Sequence, residues 1–134
     1  MLVHFPSALY PFSLVVDAVA FGTGDSAFAM CGLYALCGAV GISVVTMAYG
    51  LIDFVKIDTV SPAWKTAGIH ALLNATWWMI FMVLLFYRLK HPEFEPGWIY
   101  LVVAGITTSG LFVSNYLGGE LIIRHRIGID DHES

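Results

Sequence analysis

Ionisable and amide side chains stand at the ends of long apolar runs in this 134-residue chain. His4 opens the first run, His70 and Asn74 lie early in the third, and Glu120 and Arg124 close the fourth. Imidazole is a common axial ligand of haem iron, and helical bundles hold cofactors between side chains of facing helices. The sequence therefore predicts a b-type haem, with His4 and His70 as its two iron ligands.

Other residues of this set are predicted to support the ligands. Asp53 and Glu120 would accept hydrogen bonds from the imidazoles, Asn74 would line the site, and Arg124 or Arg126 would pair with the haem propionates. Two histidines with a carboxylate also suit non-haem iron, copper or zinc, so a metal ion on His4, His70 and Glu120, with or without Asp53, is an open alternative. A quinone head group, with His70 and Asp53 as proton partners, is another.

Helical spacing places the polar residues in three stripes. Residues three or four apart share a helix face, which gives His70, Asn74, Trp77 and Phe81; Asp53, Tyr49 and Thr46; and Glu120, Tyr116 and Val113. Because lipid offers no hydrogen-bond partners, all three stripes are predicted to face the protein interior.

The elements that would position these residues are membrane helices. The chain is 58% hydrophobic and only 12% charged, against roughly 25% charged in soluble domains. A bilayer core needs about 20 apolar residues per helix, and four runs meet this, at about 5–21, 27–54, 67–86 and 98–123. The short linkers predict an all-α membrane protein: one domain over 1–134, folded as a four-transmembrane-helix, up-down-up-down bundle.

This topology brings alternate helix ends together. We name as side A the end that holds the starts of helices 1 and 3 and the ends of helices 2 and 4; side B is the opposite end. The predicted site lies at side A. At side B, Arg88 and Lys90 are predicted to lie in the connecting loop, while Asp17 lies inside helix 1 with its role left open. Small residues of helix 2 are predicted to pack against a neighbouring helix: Gly32, Ala35, Gly38, Ala39, Gly41 and Ser43.

Four short motifs resemble a family of bacterial predicted membrane proteins, a domain of unknown function. They occur within VHFPSALYPFSLVVDAV, GLIDF, IHALLN and YLGGELIIRHRIG, and the resemblance covers nearly the whole chain. The matching residues are His4-Phe5-Pro6, Gly50 with Asp53, His70, and Gly118-Gly119-Glu120-Leu121 with Gly128. The stretch Ile123-Arg124-His125-Arg126 departs from the family pattern, which leaves the role of His125 open.

The resemblance implies a link to electron transfer, because some family members look fused to Rieske iron–sulfur domains. We therefore expect a membrane electron-transfer component, with an iron–sulfur or cytochrome partner, rather than a stand-alone enzyme. The alternative is a cofactor-free scaffold or accessory subunit of a membrane complex, and a homo-oligomer is also open. The net charge of −4 argues against nucleic acid as a partner. The expected location is the bacterial inner membrane, with both termini cytoplasmic because side A carries more lysine and arginine.

Overall fold

A computed structural model describes residues 4–91 and 95–125, without the side chains of 124 and 125. Within these residues the protein is all-helical, and the four helices are α1 (His4–Thr23), α2 (Ser26–Phe54), α3 (Pro62–Lys90) and α4 (Trp98–His125). All four are long and apolar enough to cross a membrane. The predicted helical class and the four spans are confirmed.

Residues in the preceding turns fix where α2 and α3 begin. Gly24 adopts φ +70°, a left-handed conformation that glycine tolerates, and lets the chain reverse after α1. Asp25 then caps α2 by accepting a hydrogen bond from the Ala27 amide at 2.8 Å. At α3, Ser61 accepts from the Ala63 amide at 3.2 Å, and Pro62 occupies the first helical turn.

The third helix is longer at both ends than the predicted 67–86. It begins at Pro62 because the Ser61 cap and the proline make residues 62–66 helical. It continues to Lys90, so Arg88 belongs to the helix. The prediction that Arg88 lies in a loop was wrong, because the apolar run ends before the helix does.

The four helices form a ring in which each packs on its two neighbours. Backbones approach closely for α1 with α2, α2 with α3, α3 with α4 and α1 with α4, whereas the diagonal pairs meet only through long side chains. At the centre, the rings of Tyr10 and Phe81 stack with centroids 3.9 Å apart and planes at 17°. The apolar core surrounds this stack: Leu36, Ala39, Val40, Leu84, Leu85, Tyr100, Ala104 and Leu111.

Small residues of α2 pack as predicted, although not all of them. Gly32, Ala35, Ala39 and Ser43 are buried, whereas Gly41 faces open space. Large apolar side chains cover the outside of all four helices, among them Phe12, Val45, Met79 and Phe112. Such a surface is a liability in water but matches the hydrocarbon of a bilayer.

Candidate functional site

A buried ion pair joins two diagonal helices near side B. The Nη1 atom of Arg88 on α3 lies 2.9 Å from Oδ1 and 2.8 Å from Oδ2 of Asp17 on α1. The exposed fraction of Asp17 is 0% and that of Arg88 is 3%. An unpaired charge in a bilayer is costly, so charged residues within membrane helices usually pair with one another.

The remaining two helices complete this network. From α4, the Tyr100 hydroxyl donates to Asp17 Oδ2 at 3.2 Å and lies 3.3 Å from Arg88 Nη1. From α2, the backbone carbonyl of Ala29 accepts from Arg88 Nη2. The Ser13 hydroxyl donates at 2.8 Å to the carbonyl of Gly32 and thereby ties α1 to α2 beside the pair. One charged cluster thus contacts all four helices.

Gly32 makes the space that the Asp17 carboxylate occupies. A Cβ atom built at this position would overlap Oδ1 and Cγ of Asp17. Close packing of α1 on α2 at this depth therefore requires a residue without a side chain. We name Asp17, Arg88, Tyr100, Ser13 and Gly32 the side B network.

At side A, His70 on α3 is held by the backbone of α4. Its Nδ1 atom lies 2.7 Å from the carbonyl oxygen of Ser114. Because a carbonyl can only accept, Nδ1 must carry a proton and donate it. The Ser114 hydroxyl donates in return to the His70 carbonyl at 3.3 Å. Asn74 donates to the same carbonyl at 3.0 Å, with its amide nitrogen 3.1 Å from His70 Nε2.

A stripe of small residues on α4 receives the side chains of α3. Gly110, Ser114 and Gly118 recur every four residues and so share one face. A Cβ at Gly110 would overlap the indole of Trp77, and a Cβ at Gly118 would lie 2.7 Å from Cε1 of His70. Small residues at this spacing let membrane helices approach closely, so the sequence of α4 fits the bulky face of α3.

The other predicted site residues are placed differently from His70 and Asn74. His4 is exposed in the first turn of α1, and Glu120 is half-buried on α4. Asp53 pairs at 3.3 Å with Lys56, and both side chains are more than half exposed. The side chain of Arg124 lies outside the described residues, as does that of His125.

The expectation of three interior stripes was right only for α3. Phe81 is buried, with His70, Asn74 and Trp77 partly buried, at the α3 interface. On α4, however, Tyr116 is 75% and Val113 is 60% exposed, and on α2 Tyr49 is 59% exposed. The interior face of α4 is the small-residue stripe instead. Tyrosines near the ends of membrane helices can face outward, because the headgroup region satisfies their hydroxyls.

The sequence did contain a signal for the side B network. Asp17 was noticed as a carboxylate inside an apolar run, and such a group needs a cation at the same depth. Arg88 follows the third apolar run at the same end of the bundle and was the nearest suitable cation in the topology. Tyr100 and Ser114 had no comparable signal, because a tyrosine or serine in a membrane helix is ordinary.

The described geometry does not fit a haem enclosed between His4 and His70. His70 packs against Gly118 and Ser114, His4 is exposed, and the Tyr10–Phe81 stack fills the interior between α1 and α3. The cavity in this part of the bundle measures about 30 Å³, which is room for one or two waters. Within residues 4–91 and 95–125, no three His, Cys, Asp or Glu side chains are grouped closely enough to hold a metal ion.

Comparison with known proteins identifies a family but no characterised relative. A family model described as "Predicted membrane protein (DUF2231)" matches residues 1–131. No curated protein and no solved structure matches the chain.

Proposed function

We propose that this chain, which belongs to the DUF2231 family of predicted membrane proteins, is a non-catalytic accessory subunit that supports a larger membrane complex. The proposal rests on one observation. Asp17 and Arg88, which are charged and buried in the bundle, are bonded to each other and to Tyr100. Groups so engaged tie helices together. The network thus gives the bundle a rigid interior, and the apolar outer faces remain to contact lipid and a membrane partner.

The test is whether the chain sits stoichiometrically in a larger assembly. Native membranes are dissolved in mild detergent and separated by native electrophoresis, and the chain is expected to migrate with larger membrane proteins at fixed stoichiometry. Arg88→Ala should loosen the bundle and release the chain, whereas Lys90→Ala should not, because Lys90 is exposed. A wild-type chain that migrates alone would refute the accessory role.

A redox role at His70 is the second candidate, and one contact favours it. Metal-ligating histidines usually donate the other ring N–H to a carbonyl or carboxylate, and His70 Nδ1 donates in this way to Ser114. The Nε2 atom, now 3.1 Å from the Asn74 amide nitrogen, would then serve as a ligand to haem b or a metal ion once Asn74 turns away. His70 would supply one ligand, and a partner protein or a second copy of the chain would supply the others.

This candidate is tested by optical spectra and metal analysis of the purified protein. A stoichiometric Soret band after haem supplementation, or one metal ion per chain, would support it if the signal is lost in His70→Ala. Asn115→Ala serves as the control, because Asn115 bonds to Ser7 rather than to His70. Haem and metal both absent from the folded wild-type protein would exclude it and leave the accessory role.

We also propose, from the distribution of lysine and arginine, that the protein lies in the bacterial inner membrane with both termini in the cytoplasm. Lys56 and Lys65 belong to the side A connection and the start of α3. Reporter fusions at the C-terminus check the orientation: a cytoplasmic fluorescent reporter should be active and a periplasmic phosphatase inactive. The reverse pattern would invert the topology.

A further inference from the structure

A small cavity lies in the bundle interior between the Tyr10–Phe81 stack and side A. Its volume is about 30 Å³, and all four helices contribute to its wall. Pro6 and Ser7, in the first turns of α1, line the end nearest side A, and Tyr10 lines the deep end. The cavity therefore lies in the half of the bundle nearer side A and ends at Tyr10.

The wall of this cavity is rich in oxygen atoms. Asn74 uses its amide nitrogen to donate to the His70 carbonyl at 3.0 Å, and Asn115 uses its own to donate to Ser7 Oγ at 3.1 Å. Within residues 4–91 and 95–125, the side-chain bonds of these two asparagines are made through nitrogen, and the amide oxygens remain as acceptors. At the deep end, the hydroxyls of Tyr10 and Ser43 are 3.0 Å apart.

Two further donors of the cavity wall bond to backbone carbonyls. Thr46 donates to the Ser43 carbonyl at 3.0 Å, and the indole nitrogen of Trp78 donates to the Val40 carbonyl at 3.2 Å. The wall thus offers acceptors in the amide oxygens of Asn74 and Asn115, and the Tyr10–Ser43 pair keeps one hydroxyl hydrogen to donate. Water can both donate to amide oxygens and accept from hydroxyls, so a polar wall of this kind suits it.

We propose that this cavity is a water-binding site open to side A. A water needs roughly 10–15 Å³ of such volume and two to four polar partners, so the cavity holds one or two waters. The amide oxygens of Asn74 and Asn115 accept from them, and the Tyr10 and Ser43 hydroxyls meet them at the deep end. The Tyr10–Phe81 stack ends the hydrated path before the side B network.

Thiol reactivity gives the first test, in proteoliposomes. In a background carrying Cys31→Ser and Cys37→Ala, a cysteine is placed at Ser43, on the cavity wall, or at Ala39, one turn deeper and fully buried. A thiol ionises and reacts only where water reaches it, so we expect Ser43→Cys to react with a small water-soluble methanethiosulfonate at least about tenfold faster than Ala39→Cys. The reaction should require reagent on side A.

The asparagines are tested in the same assay. Replacing Asn74 and Asn115 with leucine keeps the side-chain volume similar but removes the acceptors, so the Ser43→Cys rate should fall towards that of Ala39→Cys. Equal rates at the two cysteines, or a rate unchanged by the leucines, would overturn the proposal.

The unmodified protein provides a second measurement, which does not depend on how the variants fold. Magnetization transfer from water in solid-state NMR should reach the amide groups of Asn74 and Asn115 rapidly. The indole N–H of Trp77 is the control, because it is buried without a hydrogen-bond partner among the described residues and does not line this cavity. Transfer to the asparagines as slow as to Trp77 would refute the water site.

Discussion

The two ends of the bundle hold their polar residues in opposite ways. At side B, full charges are enclosed: Asp17 and Arg88 contact each other at 2.8 Å with both side chains buried. At side A, the partly buried His70 bonds to the backbone of α4, and the charged pair of Asp53 and Lys56 lies on the surface. The sequence predicted instead that the important polar site lies at side A, since most ionisable residues cluster there.

The difference follows from what each group needs when it leaves water. A carboxylate and a guanidinium inside a membrane must meet each other, and that requirement fixes the positions of two diagonal helices. A histidine can be neutral and is satisfied by a single carbonyl. Substitutions at side B should therefore lower the free energy of unfolding more than substitutions at side A. Five substitutions, four of them with a matched control, test this contrast through the free energy of unfolding measured in mixed micelles.

Removing the arginine of the side B network should have the largest effect. Arg88→Ala leaves Asp17 buried and unpaired, for which a loss of about 3–5 kcal/mol is expected. Lys90→Ala, two residues further on and exposed, removes the same charge and should change stability by less than about 0.5 kcal/mol. Similar losses for the two variants would show that Arg88 does not act through Asp17.

Filling the space at Gly32 should be the next most harmful change. Gly32→Ala pushes a methyl group into the Asp17 carboxylate, and overpacking of this kind costs about 1–3 kcal/mol. Gly41→Ala, on the same helix with open space around it, should be neutral or stabilising, because alanine favours helix by up to about 1 kcal/mol. The contrast fails if both variants lose stability equally.

The corresponding change at side A should be smaller. In Gly118→Ala the new methyl group meets the His70 ring, and we expect a loss of about 1–2 kcal/mol because the ring can partly move away from Ser114. Gly119→Ala, the neighbouring residue, meets nothing within 4 Å and is the matched control. A loss as large as that of Gly32→Ala would remove the distinction between the two ends.

Loss of the tyrosine hydrogen bond at side B should have a modest effect. Tyr100→Phe deletes the hydroxyl that donates to Asp17 at 3.2 Å, and hydrogen bonds between membrane helices average about 0.6 kcal/mol with a maximum near 1.7. The control is Tyr116→Phe, because Tyr116 lies on the outer surface of α4. No difference between the two tyrosines would mean that Asp17 needs only Arg88.

Breaking the exposed pair at side A should have the smallest effect. Lys56→Ala removes a salt bridge whose side chains are 68% and 52% exposed, and exposed pairs are worth about 0–1 kcal/mol. A change below about 0.5 kcal/mol is expected. A loss above 2 kcal/mol would assign Asp53 an interior role that its exposure does not suggest.

Length and composition were sufficient to predict the helices, because a membrane span requires about 20 apolar residues whatever its neighbours are. The sequence was less successful in predicting which face of each helix points to the protein interior and which to lipid. The prediction of an interior face was correct for the α3 stripe of His70, Asn74, Trp77 and Phe81. The stripes through Tyr49 and Tyr116 were also predicted to face the interior, but both tyrosines are exposed. Hydropathy cannot orient a helix that is apolar on every side, since lipid and the protein interior favour the same residues.

The side B network was missed for a related reason. An apolar run marks where a helix enters lipid but does not mark where the helix ends, so Arg88 was placed in a loop. Its partner is 71 positions away in the chain. Pairings at that separation depend on the rotation of both helices about their axes, which spacing along one helix cannot determine.

The separation of Asp17 and Arg88 has a consequence for biogenesis. When α1 enters the bilayer during synthesis, α3 has not yet been made, so Asp17 arrives without its arginine. A lone aspartate costs about 2.5–3.5 kcal/mol at the centre of an inserting helix, and Asp17, nearer the helix end, carries part of that cost. The first helix is therefore held weakly until the third is made, and a nascent chain released before Arg88 would leave α1 free to slip out of the membrane. The ion pair thus stabilises α1 in the membrane only in a chain that includes the third helix.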